Sequence, residues 1–303
     1  MAAKGPAPFK VVFCGLDNSG KTSFLVVLEN KFSLLTNITP TKGIERKEFD
    51  VLGHSIIKWD VGGQNKYREG IFKSSNLDQT DLLYYVIDIQ DPDRFEESFD
   101  YLSKIVQYCK GSNEKFPQFV ICLHKVDPDL INDSQIKANI EKCENRLRLM
   151  DFSYLTYQTS IYNNWTLRKA FSKGLLQLSP KSSVLDSILT DFLAITQSDT
   201  LMLLDKDALV FSECYNDDIS YQLTNILAPN LATMADKLMK HGREVEVFEG
   251  KIGGWIYFKP LLIDEKTFYI VIFNKHIESI EEINFALPEL TQKIKNVLQT
   301  FFI

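Results

Sequence analysis

The chain has no run of about 18 apolar residues, the least that a membrane-spanning helix needs. Its longest apolar stretches, LLYYVIDI at 82–89 and FYIVIF at 268–273, have the length of strands. Cysteine is sparse: Cys14, Cys109, Cys122, Cys143 and Cys214 form an odd, scattered set with no CxxC spacing. That pattern argues against a disulfide framework and reads as reduced thiols in a cytosolic protein. An excess of positive charge is lacking too, with 34 Lys and Arg against 40 Asp and Glu and a net charge of −6. Nothing therefore draws the surface to a polyanion, and sequence-independent nucleic-acid binding is not expected. Low-complexity segments and solenoid repeats are absent. The opening MAAKGPAPFK has no apolar h-region and no Gly after the initiator Met, so neither a secretory leader nor a myristoyl group is expected, nor direct membrane insertion.

What is present is enough apolar material for more than one core. A chain of 303 residues, 45% of them hydrophobic, suggests two domains, divided here as 1–180 and 181–303. The first alternates strand and helix signals, the pattern of a mostly parallel α/β sheet covered by helices on both faces. Six strands are predicted, near 9–14, 45–51, 55–60, 82–88, 118–123 and 153–158. The second and third form a hairpin turning at Gly53-His54, which makes one antiparallel edge. A helix over 164–178, ended by Pro180, closes this half.

After SPKSS the order changes: helix 182–196, strands 200–205 and 208–213, helix 217–241, strands 244–249, 254–261 and 266–273, helix 277–302. Three strands in succession imply an antiparallel meander, and the whole an α+β domain with a five-stranded antiparallel sheet. In the last helix Ile277, Ile280, Ile283, Leu287, Leu290, Ile294, Val297 and Phe301 recur at steps of three and four, an apolar stripe suited to core packing. Pro288 is expected to kink or interrupt it.

The chemistry lies in the first half. GLDNSGKTS at 15–23 follows the apolar FKVVFC and precedes TSFLVVLENKF, so a GxxxxGK[ST] turn sits between a strand and a helix, the setting a phosphate-binding loop requires. The alternative is a polar bend without a ligand. Amides over Asp17, Asn18, Ser19, Gly20, Lys21, Thr22 and Ser23 would face the phosphates, helped by the helix N-terminus. Lys21 would neutralise the β- and γ-phosphates, and the Thr22 hydroxyl would ligate Mg²⁺. Asp17 is expected to crowd the γ-phosphate. WDVGGQ at 59–64 ends a strand with Asp60, placed to hold Mg²⁺ through water; Gly63 would offer an amide to a γ-phosphate, and Gln64 would orient an attacking water. In ITPTKG, Thr41 or Thr39 would reach the metal when a γ-phosphate is present. Arg46 and Arg68, near these loops, read as solvated surface charge.

CLHKVD at 122–127 places Lys125 to lie along a purine face and Asp127 to accept from N1–H and N2–H of guanine. Adenine lacks those paired donors, which argues for GTP over ATP. QTSIY at 158–162 adds Ser160 and an amide near Ile161 for guanine O6. His124 stands where most small GTPases carry Asn, and is read as a contact to the base.

Residues 1–180 resemble a Ras-superfamily G domain, with GLDNSGKTS and WDVGGQNKYR similar to the Arf branch. HKVD and TSIYNNWTLRKAFSKGLLQLSP resemble the Rag/Gtr GTPases, and the element order over 181–303 is similar to the roadblock or longin-like domain of that family. WDVGGQ looks like the A/B type of Rag subunit, YVIDIQD and HKVD like the C/D type. The resemblance implies a GTP/GDP switch with Mg²⁺, slow unaided hydrolysis, and a homo- or heterodimer with a Rag-like GTPase through 181–303. It also implies activating and exchange proteins and a roadblock-type scaffold on a membrane, in nutrient signalling from the cytoplasm. An Arf-like trafficking GTPase and a nucleotide-loaded scaffold that does not turn over remain open at this point.

Overall fold

The computed structural model describes residues 8–39, 41–51, 54–72, 76–112, 115–263, 266–275 and 280–301. Val11, Val12, Phe13 and Cys14 are all fully buried, as a continuous apolar run becomes when neighbours cover both faces of its sheet. They belong to β1 (Phe9–Cys14), which lies inside a six-stranded sheet with β2 (Ile44–Val51), β3 (His54–Val61), β4 (Leu82–Asp88), β5 (Gln118–His124) and β6 (Leu155–Thr159). The order is β2-β3-β1-β4-β5-β6. Every pair is parallel except β2 with β3, so the antiparallel edge is present. The turn expected at Gly53-His54 involves residues outside the described ones.

Around this sheet run α1 (Lys21–Leu28), α2 (Asn65–Arg68), α3 (Phe95–Ser112), α4 (Ser134–Arg148) and α5 (Asn164–Leu176). Asp133 caps α4, its carboxylate accepting from the amides of Gln135 and Ile136 at 2.8 and 3.0 Å. The strand order changes direction beside β1, and the loops after β1, β3, β4, β5 and β6 leave from one end of the sheet. In parallel α/β sheets that is where ligands bind.

Met1–Leu178 is one compact unit and Ser179–Ile303 a second. The second comprises α6 (Ser182–Thr196), β7 (Thr200–Asp205), β8 (Val210–Tyr215), α7 (Asp218–Lys240), β9 (Phe248–Lys251), β10 (Trp255–Ile263), β11 (Lys266–Asn274) and α8 (Ile280–Phe301). Its five strands pair antiparallel in the order β8-β7-β11-β10-β9. Helix α6 packs on α8 and β8, and α7 on β7 and β11.

Three details differ from the sequence reading. The strand expected at 244–249 forms only over Phe248–Lys251. Its ladder with β10 stops at Phe248–Phe258, two residues short of Pro260, which has no N–H for an edge partner. The strand expected at 208–213 starts at Val210, because the Asp205 carboxylate accepts from the amides of Asp207 and Leu209 at 2.9 and 2.8 Å and lengthens the turn. Pro288 does not interrupt α8. Ile283 and Leu287 before it and Leu290, Ile294 and Leu298 after it are buried, and that packing outweighs the one backbone hydrogen bond proline removes.

Candidate functional site

The loop between β1 and α1 is shaped by its glycines and by one lysine. Gly20 has φ +92° and Asn18 φ +60°, left-handed conformations that turn the backbone amides inward. The Lys21 ammonium is buried within the loop, donating to the carbonyls of Gly15 at 3.0 Å and Leu16 at 2.6 Å. Burial lowers its pKa to about 8. Ser19 is buried, its hydroxyl 3.4 Å from Lys21 Nζ.

Above this loop lies a cleft of about 240 Å³ lined by Asp17, Asn18, Gly20, Lys21, Thr22, Ser23, Gly63 and Gln64, with Thr39 and Thr41. The phosphate-loop and DVGGQ residues named from sequence therefore line one cavity, except Ser19 and Asp60, which are buried and outside its lining. Gly63 is pressed against the loop: a Cβ there would fall 2.2 Å from the Asp17 nitrogen. Three oxygens converge. Thr22 Oγ1 is 3.0 Å from both Thr41 Oγ1 and Asp60 Oδ2, and Thr41 Oγ1 donates to the same Asp60 oxygen at 3.2 Å. Two hydroxyls and a carboxylate are hard oxygen donors, the set that suits Mg²⁺ when phosphates complete its shell.

The base-side residues gather at the ends of β4, β5 and β6, where Asp88, His124 and Thr159 lie in one register row. His124 is 1% exposed. Its Nδ1 is 3.0 Å from Thr159 Oγ1, and its other edge abuts Gly20, where a Cβ would meet Nε2 at 2.6 Å. Burial, reinforced by the neighbouring Lys125 charge, lowers its pKa to about 3, so the ring is neutral. Its surroundings are thus the phosphate loop and Thr159. Lys125, at φ +66°, pairs with Asp88 through Nζ at 2.5 Å. Asp127 accepts from Ser160 Oγ at 2.5 Å and from Gln90 Nε2 at 3.0 Å. Ile161 lies in the tight turn between Ser160 and Asn163.

Sequence reasoning missed a chain of charges beside the cleft. Arg94 Nη2 donates to Asp17 Oδ1 at 2.7 Å and Nη1 to the Asp17 carbonyl at 3.2 Å. Burial pushes the Asp17 carboxyl up, but the bond and charge of Arg94 outweigh it and hold the carboxyl below its ordinary range. Asp17 lines the cleft, yet Arg94 takes hold of the carboxylate expected to crowd it. Arg94 also binds Glu97, which pairs with Arg68 at 2.5 Å. Arg68 is not the solvated surface charge expected. It is 8% exposed, its guanidinium 5.7 Å from the Tyr101 ring centroid. Arg46 is exposed and stacks on Trp59 at 3.9 Å. Local spacing shows only the Arg94–Glu97 pair, three residues apart; their other partners, Asp17 and Arg68, come from distant segments.

Fold and site together define a P-loop nucleotide-binding protein of the small GTPase class. Residues 10–227 match the family described as the Gtr1/RagA G protein conserved region, and the chain belongs to that family. It is 39% identical over 98 residues to ADP-ribosylation factor-like protein 3 of Chlamydomonas reinhardtii, covering 32% of this chain and 53% of that protein. The chain thus spans about half the length of this curated relative. Among solved structures, the Arl6 BBS3 small GTPase from Trypanosoma brucei with bound nucleotide analogue GppNp matches 55% of this chain and 95% of its own, with 21% identity and a TM-score of 0.42.

Proposed function

We propose that the protein is a GTP/GDP-controlled switch that binds guanine nucleotide with Mg²⁺ and hydrolyses GTP slowly without an activator. The observation that carries this reading is the convergence of Thr22, Thr41 and Asp60 oxygens beside a cleft lined by Lys21, Thr22 and Thr41. Bound there, Mg²⁺ would neutralise charge on the β- and γ-phosphates. Amides of residues 17–23 hold the phosphates and Lys21 turns its ammonium from the loop carbonyls to them. Thr41 and Gly63 follow the γ-phosphate, so the loops after α1 and β3 change posture when it leaves. Gln64 orients the attacking water. Lys125 lies along the purine face and Asp127 accepts from guanine N1–H and N2–H, with Ser160 and the Ile161 amide beside it. His124 acts at this end by holding the phosphate loop and Thr159 in place.

The second unit is read as a roadblock or longin-like pairing element that joins the chain to a Rag-like GTPase, itself or a relative. Activating and exchange proteins and a roadblock-type scaffold in the cytoplasm read the nucleotide state. The family match, which reaches into this unit as far as residue 227, supports this assignment.

Displacement of labelled GDP from the full chain tests the reading. GDP and GTP should compete in the presence of Mg²⁺ and ADP should not; equal displacement by ADP overturns guanine selectivity. Single-turnover cleavage should run near 10⁻⁴ to 10⁻³ s⁻¹, and a rate above about 1 s⁻¹ contradicts a switch that waits for an activator. Light scattering of the full chain beside residues 1–178 should show pairing only in the former.

A further inference from the structure

The Asp127 carboxylate is held from two sides, and only one of its partners belongs to the loops assigned to the base. Ser160 donates to Oδ1 at 2.5 Å. The other partner is Gln90, from the loop after β4. Its Nε2 carries two hydrogens, and it meets two acceptors: Asp127 Oδ2 at 3.0 Å and the Lys125 carbonyl at 2.9 Å. The end of β4 reaches Lys125 again through Asp88, whose Oδ2 takes Nζ at 2.5 Å while its Oδ1 accepts the Gln90 amide at 3.0 Å. Asp88 and Gln90 thus close a ring around Lys125 and Asp127. The ring spans a residue in left-handed conformation, Lys125 at φ +66°, which a non-glycine residue holds only under constraint from its surroundings.

We propose that Gln90 is a specificity-setting positioning residue. It fixes the orientation of the Asp127 carboxylate, and the Asp88–Lys125 pair fixes the lysine stem, so that the site arrives aligned for a base bearing both N1–H and N2–H. A carboxylate offers about four lone-pair directions. Ser160 takes one on Oδ1 and Gln90 one on Oδ2, which leaves each oxygen a further direction for a donor from the base. A base with one donor uses only half of that alignment. This inference rests on the assignment of Asp127 to guanine made above.

The test compares GDP with inosine 5′-diphosphate, which keeps N1–H but lacks the 2-amino group, on the full chain. In Gln90→Leu the ratio of GDP to inosine diphosphate affinity should fall about fivefold or more, because GDP loses a well-aligned charge-assisted bond that inosine diphosphate lacks. Gln90→Asn, whose shorter amide cannot span both acceptors, should lower the ratio in the same direction. The thermal midpoint, read alongside, should stay within a few degrees of wild type for both. A merely structural loss would lower both affinities alike, and an unchanged ratio overturns the proposal. A rise in GDP affinity overturns it too, since it would mean that the amide competes with the base. Asp127→Asn with xanthosine 5′-diphosphate separates the two levels. A gain of xanthosine binding there, with no ratio change in the Gln90 variants, sinks this inference alone; a wild-type chain that does not prefer GDP to ADP sinks the guanine assignment and this inference with it.

Discussion

Arg94 holds Asp17 at two points, the carboxylate at 2.7 Å and the main-chain carbonyl at 3.2 Å. An arginine at the entry to α3 therefore sets the conformation of the phosphate loop and part of its charge.

Both groups are partly exposed, so the pair itself contributes little to stability. Its weight falls on the ligand. In Arg94→Ala the freed carboxylate should face the cleft and repel the most highly charged nucleotide. GTP affinity is expected to fall several-fold relative to GDP at low salt, on the order of threefold to tenfold. Asp17→Ala in the same chain should restore it. Competition titrations with both nucleotides check this, and a parallel loss for GDP and GTP would refute it.

Burial holds the Lys21 ammonium at about 8 instead of its ordinary 10.5. Between those values the unfolded chain carries the proton and the folded one does not, so the nucleotide-free protein gains stability as pH rises from 8 to 10.5. On the proposed reading a bound phosphate would restore the charge, and binding above pH 8 should then take up a proton. Calorimetry in buffers of different ionisation enthalpy should show uptake near zero at pH 7 and approaching one proton at pH 9. Affinity should decline by up to about tenfold per pH unit beyond 8. A flat profile would mean that Lys21 keeps its proton in the free protein.

His124 gives a dependence of the same sign in the acid range. Its folded pKa is about 3 against an ordinary 6.5. As pH falls below 6.5 the unfolded chain gains a proton that the folded chain does not, and stability is lost until pH reaches about 3. The slope is at most about 1.4 kcal/mol per pH unit. Chemical denaturation of His124→Asn beside wild type at pH 6.5 and 5 should show wild type losing about 1 to 2 kcal/mol more over that interval; equal losses would place the titration elsewhere.

A methyl group at position 63 would lie 2.2 Å from the Asp17 nitrogen and 2.3 Å from the Leu16 carbonyl carbon, and backbone cannot step aside as a flexible side chain can. Gly63→Ala should therefore hold the DVGGQ loop off the phosphate loop. GTP affinity is expected to drop about tenfold or more, the scale of one lost charge-assisted bond plus misalignment, while GDP binding stays within about threefold. Limited proteolysis should cut near residue 64 in GDP and GTP forms alike, and protection by GTP would count against the steric argument.

Much of the fold is legible in the residues. Continuous apolar runs at 11–14, 82–87 and 119–123, alternating with helical patterns, read as strands covered on both sides. The change from alternating strand and helix to strands in succession marks the second sheet. The places where the reading slipped share a cause. Pro288 depends on the packing of the helix around it, and Asp205 and the edge strand before β10 on which neighbour supplies or withholds a hydrogen bond; neither is a property of the segment itself.

The same division runs through the site. The amides of the phosphate loop, Lys21, Thr22, Asp60, Gln64, Lys125 and Asp127, the residues proposed to face the ligand, lie in short motifs next to strand ends, so the amino-acid order alone determines which of them are candidates. Tertiary structure alone decides what surrounds them: Arg94 on Asp17 across 77 residues, Gln90 on Asp127 across 37, and His124 against Gly20. Strand order brings those partners together at one end of the sheet. The resulting burial and charge, which move the Lys21 and His124 protons and occupy the Asp17 carboxylate, arise only when distant loops share the same few ångströms.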